Sequence, residues 1–171
     1  AAGAAGSVAM YHAVGVTSDA PTRSQALGGE PPTDRVEIGP RELRHAREEL
    51  NQTDRRPDLV ALGGPQYSLS ELMNVARLLE GRRVRPGIRL WIYTPAYFAG
   101  LAAKTTMWRS LVGSGARLVT TSCAEIQQLG VLEVHYLMTN SSKFANLIPA
   151  RYDVEIRYAP LDECIRVATG G

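Results

Sequence analysis

Thiols are scarce in this chain: 171 residues hold two cysteines, Cys123 and Cys164, too few for a disulfide framework. No C-x-x-C spacing accompanies them, and so thiol-poor a chain is expected in a reducing cytoplasm. Apolar runs are short. None approaches the roughly 20 residues that a membrane-crossing helix needs, so a membrane is not an expected partner. Charge of one sign is also missing: 19 basic residues against 17 acidic ones leave a formal +2, mixed along the sequence. The pI near 8.7 therefore comes without a basic–aromatic stripe, and nucleic acid is not an expected partner either. None of the three histidines has metal-ligand spacing. The G-x-S-x-G elbow, the Walker loop and G-x-G-x-x-G are all absent. The small-residue start, Ala1 to Ala9, has no basic segment of a signal peptide, and an initiating Met is missing. That start leads to the expectation of a processed or renumbered piece of something longer.

What is present is 44% apolar residues, enough to bury one core. The stretch LVALGGPQYSLSELMNVARLLEG, residues 59–81, shows how the chain is organised. Leu59–Leu62 is short enough for a buried strand. Gly63-Gly64-Pro65 stops it, because glycine permits unusual backbone angles and proline cannot continue a ladder. Ser68 lies three residues before Glu71, the spacing of a capping box. Leu69, Leu72, Met73, Ala76 and Leu79 then follow at helical period, with Gly81 as the stop.

This strand–turn–helix unit recurs. Strands are expected at 88–93, 117–121, 133–138 and 153–158. Helices are expected at 96–112 with a break near Lys104-Thr105, at 142–147, and from Pro160-Leu161-Asp162 through Val167. Thr94-Pro95 reads as an N-cap and first-turn proline, and Ser122 with Glu125 as another capping box. Ahead of this pattern lies an Ala/Gly-rich start read as a close-packed helix entry or a flexible end. A loop follows over 14–32, then a short strand Arg35–Ile38, then a charged helix, RELRHAREEL, with Leu43, Ala46 and Leu50 as its narrow apolar stripe. The expected organisation is an irregular N-terminal segment, 1–57, and an α/β domain, 58–171. Five strands separated by helices predict a mainly parallel sheet covered on both faces, three-layered and Rossmann-like. Ligands of such sheets lie outside the strand carboxyl ends. Residues 63–68, 94–97, 120–123 and 139–143 are therefore expected on one rim.

Within that rim, Cys123 opens a helix-like segment, where a thiolate is favoured; it reads as a nucleophile or iron ligand, or as a small buried cap. Cys164 shares a stripe with Leu161, Val167 and Ala168 and reads as core. Lys143 follows Thr139-Asn140-Ser141-Ser142 and reads as a partner for a carboxylate or phosphate, or as a solvated lysine. Gln66 and Tyr67 point to a polar rim, the glycines at 63 and 64 signal function only when joined to it, and Ser68 is sufficiently explained as a cap. His12 could face a partner, His45 is solvated, and His135 reads as a satisfied buried histidine within a strand. Trp91 and Trp108 read as core or flanking aromatics.

Five segments in order, SVAMYHAVGVTSDAPT, ALGGPQYSLSEL, RLVTTSCAE, LMTNSSKFANLIP and VEIRYAPLDECI, resemble the C-terminal part of the large chain of aconitase X enzymes. The resemblance covers nearly all of this sequence but only part of such a protein. It implies dehydration of small hydroxy acids, cis-3-hydroxy-L-proline in one branch and mevalonate 5-phosphate in another. It also implies an iron–sulfur cluster acting as Lewis acid on the leaving hydroxyl. Carried onto this sequence, it marks Cys123 as the cluster ligand. It marks Gly64, Gln66, Ser68, Thr139, Asn140, Ser141 and Lys143 as substrate-binding. This chain departs from the family in three places: Thr121 replaces the aspartate and Ser122 the threonine before the cysteine, and Gln66 replaces a histidine after the turn. Other cluster cysteines and the base lie in parts not present here. The implied partner is a second chain carrying the N-terminal half, the swivelling domain, or both. Two rival readings remain: a divergent cluster-free isomerase or cyclase subunit, and a non-catalytic scaffolding subunit.

Overall fold

The computed structural model describes residues 6, 8–124, 127 and 129–170. Its contacts divide the chain into two compact units, Ala1–Ala46 and Arg47–Gly171. Most of the small-residue start (1–5 and 7) and Glu125, the second half of one expected capping box, lie outside the described residues.

The first unit is mostly irregular. One turn of helix, α1 (Arg23–Ala26), is capped by Thr22, whose hydroxyl accepts from the Gln25 N–H at 3.3 Å. The expected strand over Arg35–Ile38 does not form: the segment has no ladder partner, and Val36 and Ile38 are 77% and 69% exposed. Helix α2 (Pro40–Leu50) matches the charged pattern, but Leu43 in its apolar stripe is 58% exposed.

The second unit is built on a five-stranded parallel sheet: β1 (Leu59–Leu62), β2 (Arg89–Tyr93), β3 (Arg117–Val119), β4 (Tyr136–Thr139) and β5 (Glu155–Tyr158), in the order β3-β2-β1-β4-β5. The chain steps outward from β1 to β3, then returns to the far side of β1 for β4. Neighbouring strands β1 and β4 therefore send their following loops in opposite directions, which opens a crevice above their carboxyl ends.

Alternation along the strands separates two cores. Val60, Leu62, Leu90, Ile92 and Met138 face one, covered by α3 (Leu69–Leu79), α4 (Ala96–Ala102), α5 (Met107–Gly113) and α7 (Leu161–Thr169). Leu59, Ala61, Trp91, Tyr93, Leu137 and Ile156 face the other, covered by α6 (Ser142–Leu147) and the connections around Leu129 and Ile148. Both faces are thus covered, as expected, though unequally.

Several boundaries move for identifiable reasons. β4 begins at Tyr136 rather than 133. Glu133 turns at φ 52, and the Asp58 carboxylate holds the His135 and Tyr136 N–H groups at 2.9 and 3.0 Å. His135 consequently precedes the strand and is exposed, not buried. β3 stops at Val119, where its partner strand ends and the Thr94 N–H takes the Val119 carbonyl at 3.1 Å. β5 begins at Glu155, whose N–H meets the His135 carbonyl at 2.8 Å. The break between α4 and α5 falls across 103–106 as expected. α7 runs two residues past Val167, to a Gly170 cap at φ 82.

Candidate functional site

The loop after β1 is shaped by two glycines at which any side chain would crowd a neighbour. A Cβ at Gly63 would lie 2.3 Å from the Tyr93 carbonyl oxygen, on a backbone already at φ 97. A Cβ at Gly64 would lie 2.6 Å from Ser141 Oγ and 2.7 Å from the Phe144 ring. This close approach lets the β1 loop lie directly against the β4 loop. The Gly64–Pro65 peptide is cis. Ser68 then forms the expected capping box: Glu71 Oε2 accepts from the Ser68 N–H at 2.8 Å and from its hydroxyl at 2.6 Å.

Hydrogen bonds sew the four rim segments together. The Thr139 hydroxyl donates to the Ala61 carbonyl at 2.7 Å and accepts from the Ser141 N–H at 3.1 Å. The Ser141 hydroxyl donates to the Gly64 carbonyl and accepts from the Phe144 N–H at 3.2 Å, capping α6. The Tyr67 N–H donates to the Tyr93 carbonyl, and the Thr94 hydroxyl donates to the Tyr67 carbonyl at 2.7 Å. Thr94 was expected to cap α4; its side chain, fully buried, makes no cap bond, and Pro95 holds the cap position. Gln66 Nε2 reaches the Ser122 carbonyl at 3.5 Å, tying the first loop to the segment that carries Cys123.

These bonds sort the sequence-predicted residues by what their atoms are left to do. Thr139 and Ser141 are buried, and their hydroxyls are engaged between loops. Gln66 is exposed, while Gly64, Ser68, Asn140, Lys143 and Cys123 are half-buried. Asn140 Oδ1 accepts from the Tyr67 hydroxyl at 3.0 Å, and its amide N–H groups remain as donors.

Two tyrosines were underweighted by sequence reasoning, Tyr67 as a polar edge residue and Tyr93 as part of a strand. The Tyr93 hydroxyl donates to Gln127 Oε1 at 2.7 Å, and Gln127 Nε2 donates to Ser122 Oγ at 3.0 Å. Burial, and next the neighbouring Cys123, raises the Tyr93 phenol above its ordinary value. Burial pushes the Tyr67 phenol up to about 12, against the opposing pull of its bond to Asn140. Both therefore stay protonated at neutral pH. The available signal was their position at or just beyond a strand's carboxyl end, next to a turn.

Cys164 is fully buried and donates to the Ala159 carbonyl at 3.5 Å; burial, and next Glu163, pushes its thiol up to about 12. It is a core residue, as its stripe predicted. Cys123 packs beside the second core but is only partly covered. Among the described residues no three histidine, cysteine, aspartate or glutamate side chains come together as a metal-binding set. The donors present do not hold an iron–sulfur cluster by themselves, and Cys123 is the one thiol on the rim.

The geometry defines a doubly wound α/β domain with polar, hydrogen-bonded loops at its strand carboxyl ends. The chain belongs to the aconitase X family: the profile of the aconitase X third domain matches residues 57–170, and that of the second domain matches residues 1–48. It is 37% identical over 174 residues to a cis-3-hydroxy-L-proline dehydratase of Pseudomonas aeruginosa, an alignment spanning 100% of this chain and 30% of that protein. It is 25% identical to the phosphomevalonate dehydratase large subunit of Methanocaldococcus jannaschii, over 95% of this chain and 39% of that one. The chain thus spans about a third of the length of these curated relatives. The fold superimposes on the crystal structure of holo-form aconitase X from Thermococcus kodakaraensis with a TM-score of 0.71, at 21% identity, over 80% of this chain and 36% of that chain. No helix among the described residues is long and apolar enough to cross a membrane.

Proposed function

We propose that this chain forms part of an aconitase X-type hydro-lyase acting on a small hydroxy acid such as cis-3-hydroxy-L-proline. Polypeptide beyond it, on a second chain or as further sequence, supplies the N-terminal half and swivelling domain. What supports this reading is the switch point between β1 and β4, where the loop after β1 is hydrogen-bonded to the loop after β4. It occurs in a chain 37% identical along its whole length to a dehydratase of that substrate.

In this reading Lys143 pairs with the substrate carboxylate, and the Asn140 amide, oriented by Tyr67, donates to a substrate oxygen. Gln66 closes the edge towards Ser122. Gly64 gives the loop its close approach, Ser68 fixes the start of α3, and Thr139 and Ser141 are positioning residues. Cys123 is one ligand of an iron–sulfur centre; a single thiolate cannot hold a cluster, so its other ligands belong to polypeptide outside this chain. A cytoplasmic site of action suits a chain whose two cysteines are both free thiols.

The test is anaerobic co-purification with the accompanying polypeptide, followed by assay of water loss from cis-3-hydroxy-L-proline and from mevalonate 5-phosphate. Turnover of the first, in an iron-containing assembly, is the result expected; turnover of neither rejects the reading. Thr121-Ser122 and Gln66, which depart from the family pattern, favour a second reading as a cluster-free isomerase or cyclase subunit. A colourless, chelator-resistant, active assembly would select it.

A further inference from the structure

At the opposite end of the sheet from the crevice, a cleft of about 370 Å³ is lined by Arg56, Arg85, Arg157 and Arg166, with Asp54 and Gly170. Its position follows from topology. Arg56 precedes β1 and Arg85 precedes β2, while α7 runs back from the end of β5 to bring Arg166 and Gly170 to the same edge. The Arg85 N–H donates to the Ala168 carbonyl at 2.9 Å, fastening that connection to the last turn of α7. Gly170 leaves the space the Arg85 side chain occupies, since a Cβ there would lie 2.9 Å from its Cδ and Nε.

Two of the four guanidinium groups share one carboxylate: Glu163 Oε1 lies 3.1 Å from Arg157 and 3.7 Å from Arg166. Arg157 also donates to the Asp54 carbonyl at 3.2 Å, and Arg56 donates to the Pro86 carbonyl at 2.5 Å. These bonds fix the direction of both side chains without cancelling their charge. Four arginines against Asp54 of the lining and Glu163 beside it leave an excess of two positive charges at a concave site. Planar guanidinium forks match the oxygens of a phosphoryl group better than those of a solvated monoanion.

We propose that this arginine cleft is a second binding site, for a phosphate monoester or other dianionic phosphoryl group, separate from the crevice at the strand carboxyl ends. The site is independent of the dehydratase reading, because no rim residue contributes to it.

The experiment is calorimetric titration of inorganic phosphate into the protein, purified with whatever polypeptide accompanies it, against sodium chloride at matched ionic strength. The result expected is saturable phosphate binding that chloride does not mimic. Arg85→Gln and Arg166→Gln should each weaken it roughly tenfold, by removal of a charge-assisted bond, with the circular dichroism spectrum unchanged. Arg85→Lys should keep most of the charge attraction but lose the forked geometry, and bind between wild type and Arg85→Gln. Phosphate heats equal to those of chloride overturn the proposal. So does binding that survives the Arg85→Gln/Arg166→Gln pair, or a cleft closed to phosphate by the accompanying polypeptide.

Discussion

The phenol of Tyr67 donates to Asn140 Oδ1 across 3.0 Å, joining the loop after β1 to the loop after β4 over the point where the sheet reverses direction. The bond holds the Asn140 carboxamide by its oxygen, and it is made by a hydroxyl that burial keeps protonated. Tyr67→Phe should cost about 1 kcal/mol of stability in urea unfolding at pH 7. In the assembled enzyme it should raise KM more than it lowers kcat.

Protonation of the same group sets an alkaline limit. The Tyr67 phenol holds its proton to about 12, from an ordinary 10.0, and the Cys164 thiol to about 12, from 9.0. Between the unfolded and folded values the native state binds more protons than the unfolded chain, so stability falls as pH rises. The contribution is complete below about pH 9 and is lost progressively towards pH 12. Denaturation midpoints measured from pH 8 to 11.5 should decline, and less steeply in Tyr67→Phe.

Gly64→Ala places a methyl 2.6 Å from Ser141 Oγ and 2.7 Å from the Phe144 ring, which also packs edge-on against Tyr93. Overpacking of this kind costs about 1–3 kcal/mol. A melting temperature lowered by several degrees is the expected outcome.

Thr139→Val keeps the shape of the side chain but removes the bonds to the Ala61 carbonyl and from the Ser141 N–H. Two lost bonds at a buried position should cost roughly 1–3 kcal/mol. Because Thr139 is a positioning residue in the proposed site, activity should fall together with the precision of the rim. Amide exchange at Ser141 should rise.

Cys123→Ser should lower the iron content of the anaerobically purified assembly without changing its circular dichroism. Cys164→Ser, which alters a fully buried thiol bonded to the Ala159 carbonyl, should leave iron unchanged and reduce stability instead. Equal iron in wild type and Cys123→Ser would remove the ligand role.

The sheet was legible because Leu59–Leu62 and its successors are short apolar runs cut off by glycine, proline and cap residues, a local signal that tertiary contacts reinforce. The capping box of Ser68 and Glu71 was readable for the same reason. Strand limits were less so. β4 starts late because the Asp58 carboxylate, distant in sequence, takes the two N–H groups before it. Thr94 looked like a cap because threonine before proline is a common helix start; its hydroxyl instead serves a carbonyl 27 residues away. Arg35–Ile38 alternates like a strand yet forms no ladder. The strand-end loops could be placed from topology, but which of their residues tie one loop to another depends on long-range hydrogen bonds that no spacing encodes.

The measurement that bears most directly on this account is the dehydration of cis-3-hydroxy-L-proline by the complete assembly carrying Lys143→Ala. A fall in kcat/KM of roughly 100-fold, the loss of a desolvated charge pair at the substrate carboxylate, with iron content and fold unchanged, is the result predicted. Wild-type kcat/KM in that variant would contradict the placement of substrate at this rim.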